Sequence, residues 1–188
     1  MDRRGMIIEA AGKSFSLFGY KATTMDQVAR LANVGKGTIY TFFKNKEELF
    51  SEIVSSLVKE MIAEAESVIE PGLPFAENVH RALYRLLEFR SKHQLMIKLV
   101  QEEKEMGTIA VSEMLVHVEE EIIGYLKKKI DIAVAKGAIP PTNTELTSFL
   151  LLKLYISLVS DWERNHDPLH SEQIADIMKI FLLKGRLE

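Results

Sequence analysis

The sequence contains no cysteine, and it has only 10 glycines and 5 prolines among its 188 residues. Without cysteine the chain can form no disulfide, no thiolate nucleophile and no cysteine-based metal site. So few turn-forming residues favour long helices over a turn-rich β fold. Hydrophobic residues make up 47% of the chain and charged residues 27%, which is the composition of a globular protein rather than of a disordered one.

Long hydrophobic runs are also missing. The most apolar stretch covers residues 149–159 and is interrupted by Lys153, whereas a membrane-spanning helix needs about 20 apolar residues. The charged start of the chain is not followed by the apolar core and small-residue cleavage site of a secretory signal. We therefore expect a buried helix at 149–159, no membrane association, and the cytoplasm as the compartment.

Apolar residues recur at helical spacing along nearly the whole chain, and no alternating strand pattern is present. In the first segment Ile7, Ala11, Phe15 and Phe18 share one helical face, and Gly19 marks the helix exit. The pattern predicts an all-α architecture of about nine helices. Beyond the breaker at residues 70–74, the helices are expected at 75–91, 93–104, 108–136, 143–164 and 171–185.

Several residue pairs have the form of a helix N-terminal capping box, in which a short polar residue is followed three positions later by Gln or Glu. Thr24 with Gln27 predicts one helix start, and Asn45 with Glu48 predicts another. Thr142 with Glu145 predicts the start of the helix over 143–164, and Ser171 the cap of the last helix. The run 102–105 is charged on all sides and is expected to be an exposed helix end.

The small net charge of −3 hides an uneven distribution. Residues 1–46 carry eight basic and three acidic side chains, a net charge of +5, while the remaining 142 residues carry a net charge of −8. A basic segment joined to an acidic remainder indicates a nucleic-acid-binding end, because the phosphate backbone attracts clustered cations.

The segment 23–46 has the pattern of a helix, a tight turn around Asn33 and a second helix from Gly35 to Phe42 or Phe43. In such a motif the second helix enters the major groove of DNA. The second helix offers a cation, several hydroxyls and two glycines that permit close approach to DNA, whereas Ile39 and Phe43 are spaced to face the protein core.

Over residues 5–55 the sequence strongly resembles the TetR family of transcriptional regulators. The resemblance rests on Phe18-Gly19-Tyr20, Thr23-Thr24, Val28-Ala29, Gly37-Thr38-Ile39-Tyr40 and the run from Phe43 to Phe50. It implies a three-helix DNA-binding domain at 1–46, a helical ligand-sensing and dimerisation domain at 47–188, and a homodimer. Two positions depart from the usual family pattern. Asn33 replaces a turn glycine, and it tolerates the left-handed backbone; Gly35 replaces a hydroxyl or alanine residue, so no side-chain contact is expected there.

The resemblance also implies which residues contact double-stranded DNA. Thr24 and Lys46 are expected to bind phosphate, and Tyr40 a phosphate or a base. The remaining contacts are expected in or along the major groove, at Lys36, Gly37, Thr38 and Thr41.

The acidic remainder is expected to hold the dimer interface and an effector pocket. The helix over 143–164 is apolar on more than one side and the last helix carries a single apolar stripe, so pairing both with their symmetry mates would cover them. The predicted interface residues are Leu151, Tyr155, Leu158, Ile174, Ile177, Met178 and Phe181. By resemblance, the candidate pocket residues are Leu86, Phe89, Met96, Leu99, Met106, Met114, Val118, Phe149 and Trp162.

No catalytic constellation, cofactor motif or metal site is predicted, since the chain has no phosphate-cradling glycine-rich loop and no HExxH pattern. The sequence favours a transcriptional regulator, specifically a repressor that leaves a palindromic operator when a small apolar or amphipathic ligand binds. Two alternatives remain: a helical carrier or enzyme with a vestigial DNA-binding unit, and a constitutive DNA-binding dimer without a ligand.

Overall fold

The computed structural model describes residues 2–183, except for the side chains of residues 91, 92, 164, 182 and 183. Within that range the chain forms nine α-helices and no strand, which confirms the all-α prediction. The helices are α1 (Arg3–Ala22), α2 (Met25–Leu31), α3 (Lys36–Phe42), α4 (Lys46–Ser67), α5 (Phe75–Lys92), α6 (Gln94–Met106), α7 (Ile109–Ala135), α8 (Thr144–Ile156) and α9 (Ser171–Leu183).

The chain divides into two compact units, and the divisions fall inside α4, α5 and α7. One unit contains the residues up to Glu60 together with Arg90–Val118, so it combines α1–α3 and most of α4 with the end of α5, α6 and the first part of α7. The other contains Met61–Phe89 and the residues from Glu119 onward. The domain boundary predicted between residues 46 and 47 separates residues by function, DNA binding before it and ligand sensing after it. This division into two compact units does not test that boundary, which stays a prediction.

The core of the first unit is formed by side chains from α1, α3, α4, α6 and α7. Phe15, Ile39, Phe43, Phe50 and Leu99 are at most 1% exposed. The ring of Phe50 packs against that of Phe15 at a centroid distance of 5.3 Å and against that of Tyr20 at 4.6 Å. The predicted inward orientation of Ile39 and Phe43 is therefore confirmed, and α3 is fixed to the unit by its inner face.

The second unit has its own apolar core where α5, α8 and α9 meet. Leu87, Val159, Ile174 and Met178 are buried there. The partly buried side chains packed against them are Leu83, Leu151, Leu154, Tyr155, Leu158 and Leu169.

Two of the predicted helix starts are confirmed by hydrogen bonds. The Thr24 hydroxyl accepts from the Gln27 backbone N–H at 3.2 Å, and the Asn45 side chain accepts from the Glu48 N–H at 2.8 Å. In the second case the Glu48 carboxylate accepts in return from the N–H of Lys44 at 2.7 Å. Such reciprocal bonds satisfy backbone donors that have no partner within the helix.

Three local predictions were wrong. The cap of α8 is Asn143, whose side chain accepts from the Leu146 N–H, and not Thr142. The helix expected over 143–164 ends as an α-helix at Ile156, and a π-helical turn (Ser157–Asp161) and a short 3₁₀ turn (Trp162–Arg164) follow it. Ser171 is the first residue of α9 rather than its cap, since the helix bond from the Ile174 N–H ends on the His170 carbonyl.

Candidate DNA-binding surface

The turn between α2 and α3 has the backbone geometry that the sequence indicated. Asn33 adopts a left-handed conformation with φ 53°. The Val34 N–H returns to the Ala29 carbonyl at 3.0 Å and closes the end of α2. Asn tolerates this conformation better than other non-glycine residues because its short polar side chain can bond locally. The helix-turn-helix geometry is thus retained without the turn glycine.

The outer face of α3 is polar and accessible. Lys36, Gly37 and Thr41 are exposed, Tyr40 is 46% exposed, and Thr38 is half-buried. Gly35 caps the helix without a side-chain bond, as expected from its lack of a hydroxyl. The five predicted contact residues on α3 therefore lie on a helix whose inner face is fixed in the core.

The Lys36 ammonium lies 2.9 Å from the carboxylate of Asp26 on α2. This hydrogen bond raises the pKa of Lys36 above its usual value, so the side chain stays a cation throughout the physiological range. Both side chains are more than half exposed, and an exposed pair of this kind is weak. A DNA phosphate can therefore compete with Asp26 for the ammonium.

Lys46 has a more internal position than the sequence suggested. Its ammonium donates to the backbone carbonyls of Tyr20 and Thr23, both at 3.0 Å, and lies 4.1 Å from the centre of the Tyr20 ring. Partial burial lowers the pKa of Lys46, and the nearby carboxylates of Glu47 and Glu102 oppose that shift. Two of the three donors of this ammonium therefore hold the end of α1 and the residue that follows it.

Two of the three threonines at the predicted surface, Thr24 and Thr41, are also engaged locally. The Thr24 hydroxyl caps α2, and the Thr41 hydroxyl donates to the Thr38 carbonyl at 2.7 Å. A hydroxyl that donates once still has lone pairs to accept with. Thr41 can thus accept a bond from a base donor without breaking its existing contact.

Glu102 on α6 was expected to be exposed, and that expectation was wrong. Its side chain is 5% exposed, and its carboxylate accepts from the N–H of Tyr20 at 2.6 Å and of Lys21 at 3.0 Å. Sequence reasoning missed this residue because neighbouring charges on α6 look alike in the sequence. The glycine at position 19 gave only an indirect signal, since it was interpreted as an ordinary helix exit.

The predicted effector-pocket residues differ widely in exposure. Leu99 and Val118 are buried in the first unit, whereas Met106, Phe149 and Trp162 are 56%, 43% and 41% exposed. Leu86, Phe89, Met96 and Met114 are half-buried. An open groove of about 870 Å³ in the first unit lies between α1, α4 and α6, and none of the nine predicted residues lines it. The pocket assignment stays a prediction.

The predicted dimer residues fall into two groups. Ile174 and Met178 are 3% and 2% exposed because they form the core of their own protomer, and Leu151, Tyr155 and Leu158 pack partly against that core. Phe181 is 65% exposed and Ile177 is half-buried. The same unit also exposes Leu146, Leu150 and Ile180, each by more than half. An exposed apolar set of this kind is typical of an association surface.

Two other kinds of site receive no support within the described residues. No group of three or more acidic or histidine side chains is placed to hold a metal ion. None of the helices in residues 2–183 is both long enough and apolar enough to cross a membrane.

Fold and surface together define a helix-turn-helix DNA-binding protein. Residues 7–53 match the family model described as bacterial regulatory proteins of the tetR family. The chain is 58% identical to the HTH-type transcriptional regulator YhgD of Bacillus subtilis, over 98% of this chain and 97% of that protein. The chain therefore belongs to the TetR family of transcriptional regulators, as its sequence motifs indicated.

More distant relatives agree with this assignment. The HTH-type transcriptional regulator UidR of Escherichia coli strain K12 is 28% identical over 85% of this chain and 81% of its own length. Among solved structures, the transcriptional regulator FadR of Bacillus subtilis in complex with stearoyl-CoA superposes with a TM-score of 0.78, at 18% identity, over 96% of this chain and 98% of that one. The second comparison shows a shared fold.

Proposed function

We propose that this regulator is a homodimeric repressor that binds a palindromic operator through α3 and leaves it when a small apolar or amphipathic effector binds. The observation that carries the proposal is the two-sided character of α3. Its inner face is fixed by Ile39 at 0% exposure, while its outer face presents Lys36, Tyr40 and Thr41. A rigid support beneath an exposed polar face is what base reading requires.

The proposed DNA contacts fall into two groups, those that position the protein on the duplex and those that recognise the base sequence. Thr24 and Lys46 bind phosphate and set the register of the protein on the duplex, while Tyr40 binds a phosphate or a base. Lys36, Gly37, Thr38 and Thr41 lie along the major groove, where cations and hydroxyls distinguish the edges of the bases.

Dimerisation follows from the exposed apolar side chains of α8 and α9. A two-fold symmetric pair would cover Leu150 and Phe181, which are 55% and 65% exposed. It would also place the two α3 helices about one DNA turn apart, ~34–36 Å, so that the dimer reads a palindrome.

The effector class is inferred from apolar composition and from one structural neighbour. The FadR structure contains stearoyl-CoA, a ligand with a long apolar chain. Methionine side chains suit such ligands because they are flexible and polarisable, and Met96 and Met114 are two of the predicted pocket residues. Because its relatives are transcriptional regulators, we propose a regulatory rather than enzymatic role, in the cytoplasm.

The test is binding of the full-length protein to the DNA upstream of its own gene, measured by fluorescence anisotropy at several salt concentrations. We expect tight binding to a palindromic site, with affinity falling steeply as salt rises because counterions are released from the neutralised phosphates. Lys36→Ala and Tyr40→Ala should each weaken that binding. Failure to bind this DNA, or salt-independent binding, would contradict the proposal.

The same assay separates the two alternatives. A constitutive DNA-binding dimer would bind the operator equally well with and without long-chain acyl-CoA or other amphipaths. A carrier with a vestigial DNA unit would keep its regulatory output in cells when Lys36 and Tyr40 are replaced by alanine.

A further inference from the structure

We propose that Glu102 is a positioning residue for DNA binding. Its carboxylate, carried by α6, holds the end of α1 and the residue after it (Gly19–Thr23, called here the exit of α1). In this conformation the segment presents α2 and α3 to DNA. This inference rests on the proposed DNA-binding function and adds a residue that lies far outside the helix-turn-helix in the sequence.

The environment of the Glu102 carboxylate supports this role. Glu102 is 5% exposed, and its two oxygens accept from two successive backbone N–H groups, those of Tyr20 and Lys21. Burying a carboxylate is unfavourable unless hydrogen bonds replace its water. Paired backbone amides facing one anion provide that replacement, as they do in other anion-binding backbone concavities. The exit of α1 therefore acts as a receptor for this side chain.

The backbone at Gly19 is shaped to receive the Glu102 side chain. This residue has φ 84° and ψ 173°, so it breaks the helix just before the two amides. A Cβ at Gly19 would overlap the Glu102 carboxylate, with the Lys98 side chain also in contact. Glycine is thus required here twice, for its positive φ and for the close approach of α6.

The same segment is also held from its other side, by Lys46 and Thr23. The Lys46 ammonium from the start of α4 bonds the carbonyls of Tyr20 and Thr23. The buried Thr23 hydroxyl donates to the Gly19 carbonyl at 2.8 Å. Residues 19–23 are therefore fixed by an anion on their N–H side and a cation on their carbonyl side.

The fixed segment leads directly into the DNA-binding motif. Thr24, the N-cap of α2, follows Thr23 without an intervening residue. A change in the Gly19–Thr23 path therefore changes the direction in which α2 leaves α1, and α3 with it. In this way a carboxylate on α6 influences DNA affinity without touching DNA.

The experiment compares full-length Glu102→Gln with a matched control, Glu105→Gln, on the same helix. Glutamine keeps the size of the side chain but turns one acceptor into a donor that faces a backbone N–H. We expect Glu102→Gln to bind the upstream operator DNA about tenfold more weakly, with an unchanged salt slope because the phosphate contacts are the same in number. Glu105 is exposed, and its variant should bind like the wild type.

A second measurement reports the contact itself. Hydrogen exchange followed by NMR should show faster exchange of the Tyr20 and Lys21 amides in Glu102→Gln, with the Val28 and Ala29 amides of α2 unchanged. Sodium formate should partly restore DNA binding to Glu102→Ala by supplying a carboxylate, whereas sodium chloride at equal ionic strength should not. A residue that served only general stability would instead speed exchange at Val28 and Ala29 as well, because a less stable unit opens as a whole.

Three outcomes would overturn the inference. One is operator binding by Glu102→Gln within twofold of the wild type, and another is unchanged exchange at Tyr20 and Lys21. The third applies if the variant unfolds, and it is measured on the wild-type protein. Rapid hydrogen exchange of its Tyr20 and Lys21 amides would show that the carboxylate does not hold them. Failure of the wild type and of Glu105→Gln to bind DNA would instead contradict the proposed function, while the exchange data would still test the contact.

Discussion

At the scale of single residues, Lys46 is proposed to combine two tasks, a structural one and a DNA contact, in one ammonium group. Two of its three donors hold the backbone carbonyls of Tyr20 and Thr23, and we expect the third to bind a DNA phosphate. We expect Lys46→Ala to weaken binding to operator and to unrelated DNA by a similar factor, roughly tenfold, and to reduce the slope of log affinity against log salt by about one. Fluorescence anisotropy titrations over a salt series provide the measurement.

The control for Lys46→Ala is Lys59→Ala, which removes an exposed lysine from the same helix. It should change neither the affinity nor the salt slope. A loss of affinity in Lys46→Ala with an unchanged slope would show that Lys46 acts only by holding the end of α1.

Thr41 is expected to influence sequence preference rather than general affinity. Its hydroxyl already donates to the Thr38 carbonyl, so it can contribute to base reading only as an acceptor or through its methyl group. We expect Thr41→Ala to change the ranking of operator variants by about 1–3 kcal/mol at one base pair, with little effect on binding to unrelated DNA. A selection from randomised operators measures the ranking. An unchanged ranking would show that Thr41 does not take part in base recognition.

At the scale of helices, two glycines of α1 should respond oppositely to the same substitution. Gly12 lies inside the helix, and an added Cβ would make ordinary contact with Ile53 at 4.0 Å. Gly19 has φ 84°, and its Cβ would overlap the Glu102 carboxylate. Gly12→Ala should raise the free energy of unfolding by about 0.5–1 kcal/mol, while Gly19→Ala should lower it by about 1–3 kcal/mol.

Urea unfolding of the dimer, followed by circular dichroism at one fixed protein concentration, gives both values. An increase in stability for Gly19→Ala would mean that the backbone relaxes freely at the α1 exit. Such a result would also contradict the inference that the backbone of residues 19–23 is held in one fixed conformation.

The helices show where sequence reasoning succeeds and where it stops. Local signals predicted the Thr24 and Asn45 caps, because each depends on residues within one turn, and the family resemblance predicted a left-handed backbone at Asn33. The cap of α8 was misassigned since Thr142 and Asn143 are both good caps and periodicity does not choose between them. Glu102 could not be predicted, because its partners lie 81 and 82 positions away in the chain and only folding brings them together.

At the scale of the whole molecule, we expect the uneven charge and the proposed dimer to act together in DNA binding. The net charge of −3 arises from +5 on residues 1–46 and −8 on the rest. The acidic remainder disfavours DNA contact by any surface other than the basic one. A dimer doubles the basic surface, so the salt dependence of operator binding should be steeper than that of one protomer on a half-site.

The proposed dimer can be tested at Phe181. Phe181 is 65% exposed on α9, and a glutamate there would place a charge in an apolar symmetric contact twice per dimer. We expect Phe181→Glu to be folded but monomeric at micromolar concentration by analytical ultracentrifugation. Operator affinity should then fall at least about 100-fold, because two half-sites no longer bind as one unit.

The control is Ile109→Glu, which introduces the same charge at a residue that is 74% exposed at the start of α7. It lies outside the proposed interface and should leave both the mass and the operator affinity unchanged. If Phe181→Glu remained dimeric, the interface would have to be formed by other exposed apolar residues of the molecule. A monomer that still bound the palindrome tightly would show that each protomer recognises DNA independently, which would exclude the symmetric reading of the operator.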